Sequence, residues 1–233
     1  MALPRLPGFW LLASLASYCI SPVGLAQTPP SAQQVLAYSG LFKMVVTHDS
    51  AGLKKAITET TNVDIKDDHG RTPLHVAAYV ANHKAMRLLV EAGANANALE
   101  YQRYDIVTIA AVENDLPTLR LALELGANPG NTTSLYDGTA LIAAAHLGHV
   151  EVVQILIDAG APLDHINNLR WTALIESIVL GDGGPRHTAT LKSLVDAGAN
   201  VNLADGSGHS PLQLAKRNNY AEMVEILSAA GAK

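Results

Sequence analysis

The chain of 233 residues has one cysteine, two phenylalanines and two tryptophans, and aromatic residues make up only 5% of it. A single cysteine excludes a disulfide framework and a cysteine-rich zinc module. Charge is also sparse: 16% of residues are charged, no stretch concentrates Lys and Arg, and the formal net charge is -5. That excludes a general binder of phosphate backbones or anionic lipid. A hydrophobic content of 48% excludes a disordered tail. Alanine and leucine are abundant. These small, straight side chains suit closely packed helices.

Residues 1–26 read as a secretory signal peptide. Arg5 supplies the positive start, Phe9 through Ile20 is a short apolar stretch, and Gly24-Leu25-Ala26 ends in the small residues a signal peptidase reads. Cleavage then falls before Gln27, and the apolar stretch is shorter than the roughly 20 residues of a bilayer span. Cys19 follows Tyr18 rather than a small residue, so it is not read as a lipidation site. The mature chain keeps no cysteine, which suits an oxidising compartment. Losing Arg5 from 16 basic residues against 21 acidic ones makes its net charge -6. The expected location is the periplasm, or outside the cell, of a bacterium, with no membrane span after cleavage. Residues 27–32 are expected to be a short flexible lead-in to a repeat domain over 33–233.

Two ladders with one period dominate the rest. Thr72, Asp105, Thr139, Thr172 and Ser210 are spaced 33, 34, 33 and 38 apart; Gly93, Gly126, Gly160, Gly198 and Gly231 are spaced 33, 34, 38 and 33. The first series consists of helix N-cap types, followed at Pro73 and Pro211 by a proline where the missing N–H costs nothing. The second marks where a helix stops on a left-handed residue. Apolar residues at Val152, Val153, Leu156 and Ile157 define a helix face between the two signals. One such helix pair cannot cover its own apolar face, so the units must stack.

The segment Arg71-Thr72-Pro73-Leu74-His75-Val76-Ala77-Ala78, with its weaker copies, resembles the ankyrin repeat, whose period is 33. The resemblance covers nearly all of residues 33–233 and implies an all-α solenoid of about six stacked helix–turn–helix repeats. The first (33–60) and last act as caps. Only one copy keeps Thr-Pro-Leu-His; Thr108, Ile142, Ile175 and Gln213 replace the histidine. In ankyrin proteins that histidine bridges loops, so loops elsewhere are expected to be less rigid. Gly181 to His187 is an insertion in the fifth repeat and is expected to be a mobile loop.

Chemistry is hard to place on this chain. His146 and His149 have metal-pair spacing but no third ligand, and Gly148-His149 reads as the turn between helices. His48-Asp49, Asp68-His69 and Asp164-His165 fall in turns, where adjacent side chains diverge, and read as structural. The glycines at 181–184 lack a phosphate-loop pattern. Asn131-Thr132-Thr133 matches a glycosylation sequon, meaningful only in a eukaryotic secreted protein. No cofactor, metal or catalytic residue is expected.

Ankyrin proteins usually meet partners through loop tips and the inner face of the first helices. The resemblance therefore points to a protein partner and to His69, Arg71, Tyr101, Arg103, Tyr104, Tyr136, Arg170, Trp171 and His209 in the loops. On the inner helices it points to Tyr79, His146, Leu147, Val179 and Leu180. Tyr, Trp and Arg are the types that dominate binding hot spots. The same rings could instead pack across adjacent loops and stiffen them. The expected function is a monomeric, exported protein-binding adaptor, with some relatives linked to peroxide and catalase defence. An immunity protein or enzyme inhibitor is the alternative; a host-directed effector and a metal-dependent hydrolase are more distant ones.

Overall fold

The computed structural model describes residues 27–233, so the signal segment, its cleavage site and Cys19 lie outside the described residues. Thirteen helices follow. A short helix α1 (Ala32–Ala37) precedes six pairs: α2 (Gly40–Val46) with α3 (Ser50–Glu59), α4 (Pro73–Tyr79) with α5 (His83–Glu91), and α6 (Ile106–Val112) with α7 (Leu116–Glu124). The others are α8 (Ala140–Leu147) with α9 (Val150–Asp158), α10 (Ala173–Val179) with α11 (Pro185–Asp196), and α12 (Pro211–Arg217) with α13 (Ala221–Ala229). Among the described residues there is no strand, only an isolated bridge between Thr133 and Gly138. The chain is an all-α solenoid.

Each ladder residue performs the task its chemistry suggests. Thr72, Asp105, Thr139, Thr172 and Ser210 are N-caps whose side chains accept from the amide three residues on. This satisfies a donor that the helix leaves orphaned. Gly93, Gly126, Gly160, Gly198 and Gly231 all have φ between 80 and 93°, the left-handed region where a Cβ is penalised.

The first helices α2, α4, α6, α8, α10 and α12 touch in series. Buried alanines at 77, 110, 111, 144 and 145 allow the close approach, while Leu74, Ile109, Leu141, Leu174 and Leu214 fill the layers between. The second helices stack α3 on α5 and α7 on α9, α11 and α13. Polar groups also bridge α5 and α7. Arg87 donates to both oxygens of Glu124, at 2.7 and 2.9 Å, and His83 Nε2 bonds the Thr118 hydroxyl at 2.8 Å.

Two features differ from the sequence reading. Helix α1 starts at Ala32, capped by Ser31, inside the stretch expected to lead in flexibly, and the Thr28 carbonyl is bonded to Arg71. The insertion is not a loose loop either, because its last three residues, Pro185 to His187, belong to α11, which has 12 residues against nine in α9. Its remaining turn is pinned from both sides. His187 reaches back to the His146 carbonyl at 2.9 Å, and the Tyr220 hydroxyl donates to the Gly181 carbonyl at 2.9 Å. The Tyr220 ring lies against Gly183, where any side chain would collide with it.

Candidate interaction surface

Five tight hairpins precede the inner helices α4 to α12. In each, the first residue bonds the last through the backbone: Asp67 to Arg71, Glu100 to Tyr104, Thr133 to Gly138, Asn167 to Trp171 and Asp205 to His209, at 2.7 to 3.1 Å. In four of them the first side chain also accepts the last residue's N–H. An acidic or amide residue at that position therefore closes the turn twice.

Backbone bonds then join neighbouring hairpins at their tips. Tyr101 N donates to the His69 carbonyl at 3.0 Å, Ser134 N to Arg103 at 3.1 Å, and Asn168 N to Tyr136 at 2.9 Å. Side chains reinforce the same rungs: Arg103 pairs with Asp137 at 2.6 Å, and His165 Nε2 donates to the Asp137 carbonyl at 2.6 Å. The Tyr101 ring covers Gly70 and sits 5.9 Å from the Lys66 ammonium. Loop rigidity thus extends past the one intact Thr-Pro-Leu-His. At that copy, His75 accepts the Thr72 N–H at 3.1 Å on Nδ1, and its Nε2 donates to the Ala98 and Tyr104 carbonyls at 3.0 and 3.2 Å. In the next copy the Thr108 hydroxyl substitutes by bonding Thr133 at 3.1 Å.

These linked tips carry large apolar side chains into solvent: Tyr101 is 66% exposed, Leu135 62%, Leu169 43% and Tyr136 40%. Of the residues expected to bind, His69, Tyr101, Tyr136 and Arg170 are exposed at the tips. Tyr79, Arg103, His146, Leu147, Trp171, Val179, Leu180 and His209 are half-buried. Tyr79, Trp171 and Val179 also pack against the core, and burial pushes the Tyr79 hydroxyl pKa up. Burial, aided by the nearby His187, lowers the His146 pKa and favours its neutral form.

Arg71 and Tyr104 must be withdrawn from the set. Arg71 is 1% exposed, with Nε on Asp67 Oδ2 at 2.8 Å and Nη1 on the Thr28 carbonyl at 3.0 Å. Tyr104 is 8% exposed and closes its hairpin against Glu100. Both serve as internal braces, because at these two hairpins the last side chain turns into the stack. Leu135 and Leu169 were missed, although an apolar residue inside a turn is a readable signal.

No three His, Cys, Asp or Glu side chains converge as metal ligands among the described residues. His149 Nδ1 donates to the Ala111 carbonyl at 3.0 Å. Asp49 caps α3 and Asp164 accepts from Asn200, so these carboxylates hold backbone amides. The closest His–carboxylate pair, His187 Nδ1 to Asp182 Oδ1 at 2.7 Å, was not anticipated. Its other nitrogen is occupied by the His146 carbonyl, leaving none to take up a substrate proton.

Comparison with known proteins agrees with this architecture. The sequence matches the family described as "Ankyrin repeats (3 copies)" over residues 40–133 and 107–205. It is 30% identical over 182 residues to the ankyrin repeat protein YahD of Escherichia coli (strain K12), covering 77% of this chain and 90% of that one. Among solved structures, an ankyrin repeat domain from Acinetobacter baumannii AYE is 41% identical with a TM-score of 0.77, covering 83% of this chain and 98% of that one. The ankyrin repeat domain of Bcl-3 is 27% identical with a TM-score of 0.75, over 84% and 87% of the two chains. Ankyrin repeats are protein–protein interaction modules, and their fold is generally a non-enzymatic scaffold. The stacked pairs, the two ladders and these matches have one meaning: the chain belongs to the ankyrin-repeat family.

Proposed function

We propose that this chain is an exported, monomeric adaptor that grips a protein partner with its hairpin tips. The observation that carries the reading is the run of Tyr101, Leu135, Tyr136 and Leu169 on hairpins already locked to one another by backbone bonds. Large apolar side chains on a rigid edge lose little freedom on binding, so more of the contact energy reaches the complex. The half-buried strip of His146, Leu147, Val179 and Leu180 on the inner helices supplies the adjoining wall.

Export to the periplasm rests on the sequence of residues 1–26 alone. Within the described residues no helix is long and apolar enough to cross a membrane. The finer role lies between an adaptor in peroxide- and catalase-linked defence and an inhibitor or immunity protein. An inhibitor holds one enzyme with slow dissociation, whereas an adaptor exchanges among several partners.

Site-specific photocrosslinking in a periplasmic extract tests the surface. A crosslinker at Leu135 or Leu169 should give a discrete protein adduct, and one at Glu151 on the outer helix α9 should not. The same adducts at all three positions would discard the tips as the binding edge.

A further inference from the structure

Among the inner helices, only α10 buries an acid in the stack. Four residues after the N-cap, α4, α6, α8 and α12 carry Val76, Ile109, Ala143 and Leu214, whereas α10 carries Glu176. Glu176 is 4% exposed. Its Oε1 accepts from Asn167 Nδ2 at 3.0 Å, and its Oε2 is buried without a hydrogen-bond partner. The elements packed closely on α10 carry His146 on α8, Arg186, His187, Lys192 and Asp196 on α11, and Lys216 and Arg217 on α12; the preceding hairpin carries Arg170. None of them bonds the carboxyl or moves its pKa.

Asn167 is the residue that closes this hairpin. Its Oδ1 accepts from Leu169 N and Trp171 N, both at 3.0 Å, and its own N–H donates to the Trp171 carbonyl at 3.0 Å. Asp67, Glu100 and Asp205 close their hairpins with carboxylates, which have no donor to offer. Asn167 still has its amide N–H for Glu176. One side chain therefore ties the tip bearing Leu169 and Arg170 to the buried acid.

A neutral carboxyl occupies this place at the cost of one unpaired O–H. An ionised one leaves Oε2 with neither a donor nor a cation, which is far more costly. Ionisation strengthens the bond from Asn167, yet burial outweighs it and pushes the Glu176 pKa up to about 7. To be hydrated the carboxylate must leave its buried place, and leaving breaks the bond to Asn167.

We infer that Glu176 is a proton latch on the candidate binding edge: protonated, it anchors Asn167 and holds the Leu169 tip rigid, and ionised, it releases Asn167 and lets the tip open. The tip is therefore firmest in acid and loosens as pH rises from 4.5 to 7. A partner that needs the tip rigid binds with uptake of a proton. That role in recognition rests on the proposed binding edge; the latch itself is read without a partner.

The full-length chain is followed by NMR from pH 4.5 to 8, with amide exchange corrected for its intrinsic rate. Protection of the Leu169 and Trp171 N–H groups should fall at least tenfold between pH 5 and 7 and level off above 7. The His209 N–H, closed by Asp205 whose pKa is lowered, should change far less. Glu176→Gln keeps an acceptor for Asn167 and cannot ionise, so its protection should stay flat. No fall in wild type, a fall that persists in Glu176→Gln, or an equal fall at His209 would overturn the latch. Wild type carries a second readout that needs no variant: the Glu176 carboxyl carbon and the Asn167 side-chain amide should titrate together. An Asn167 amide that ignores the Glu176 titration would overturn the latch equally. Failure of the latch leaves the Leu169 crosslink to decide the binding edge, and a missing crosslink leaves the amide result as it stands.

Discussion

Gly130 and Pro162 face each other across the stack where a repeating hydrogen bond is absent. Elsewhere an Asx side chain at the end of one repeat accepts from a backbone N–H of the next: Asp64 from Asn95, Asn97 from Asn128, Asp164 from Asn200 and Asn202 from Lys233, at 2.7 to 3.2 Å. At the remaining rung the acceptor position is Gly130, which has no side chain, and the donor position is Pro162, which has no N–H. The two losses match, so neither repeat is left with an unpaired group. A Cβ on Gly130 would lie 3.2 Å from Pro162 Cδ, so the proline has taken the space the acceptor would need.

Restoring the rung should require both changes. Gly130→Asn with Pro162→Asn is expected to show a favourable coupling of about 1 kcal/mol, the net worth of one such bond. Gly130→Asn alone gains nothing, because its new acceptor meets a residue without a donor. Urea unfolding of both single variants and the double variant measures the coupling. Additive effects would mean the ladder contributes no stability.

Two buried titratable groups tilt the pH dependence in opposite directions. Burial is the main reason that His75 has its pKa lowered from 6.5 to about 4, with Nδ1 held as an acceptor by the Thr72 N–H. The neutral ring is the folded form, so its contribution is present above 6.5 and lost as pH falls toward 4. Glu176 on α10 is pushed up to about 7, mainly by burial and against an opposing hydrogen bond from Asn167. Its folded form is protonated, so that contribution is present at low pH and lost as pH rises from 4.5 to 7. Each amounts to something on the order of 3 kcal/mol. Relative to wild type, Glu176→Gln should therefore gain stability as pH rises from 4.5 to 7. His75→Gln should gain relative stability as pH falls from 6.5 to 4. Melting temperatures across pH 4 to 8 check both; parallel curves for all three proteins would refute the assignment.

The helix pairs were legible because caps and stop glycines are local. A Thr or Ser before a helix and a left-handed Gly after it act within a few residues, and their 33-residue recurrence shows in the string of letters. Side-chain direction at the hairpins was not legible. Arg71, Tyr104, Trp171 and His209 end four of the five hairpins, yet Arg71 and Tyr104 turn inward while the other two stay half-buried. What decides it is the partner: Asp67 and Thr28 draw Arg71 in, and Thr28 is 43 residues away. The insertion failed as a sequence inference for the same reason. Its glycines suggested freedom, but two of them, Gly181 and Gly183, make room for the rings of His187 and Tyr220.

Arg71→Leu should separate bracing from binding. Removing the guanidinium leaves the Asp67 carboxylate nearly buried and without its cation, and the Thr28 carbonyl without its donor. Breaking a buried ion pair in this way costs about 3–5 kcal/mol. The loss should localise: hydrogen exchange in α1, α2 and α4 should accelerate more than in α10 to α13, since each repeat of a stack leans only on its neighbours. Uniform acceleration along the chain would mean that the repeats unfold as one unit.

The converse behaviour is expected at the tips. Leu135→Ser and Leu169→Ser remove side chains that are already in water and close no hairpin. Substitutions at such surface positions usually change stability by less than about 0.5 kcal/mol. If the linked tips form the binding edge, the pair should weaken a captured partner by more than tenfold, with most of the change in the dissociation rate. Surface plasmon resonance against the protein crosslinked at Leu135 reads this directly, and unchanged dissociation with an unchanged melting point would move the binding surface to the half-buried strip on α8 and α10. That strip can be tested in the same format with Leu147→Ser and Leu180→Ser, which lie on the inner helices rather than the hairpins.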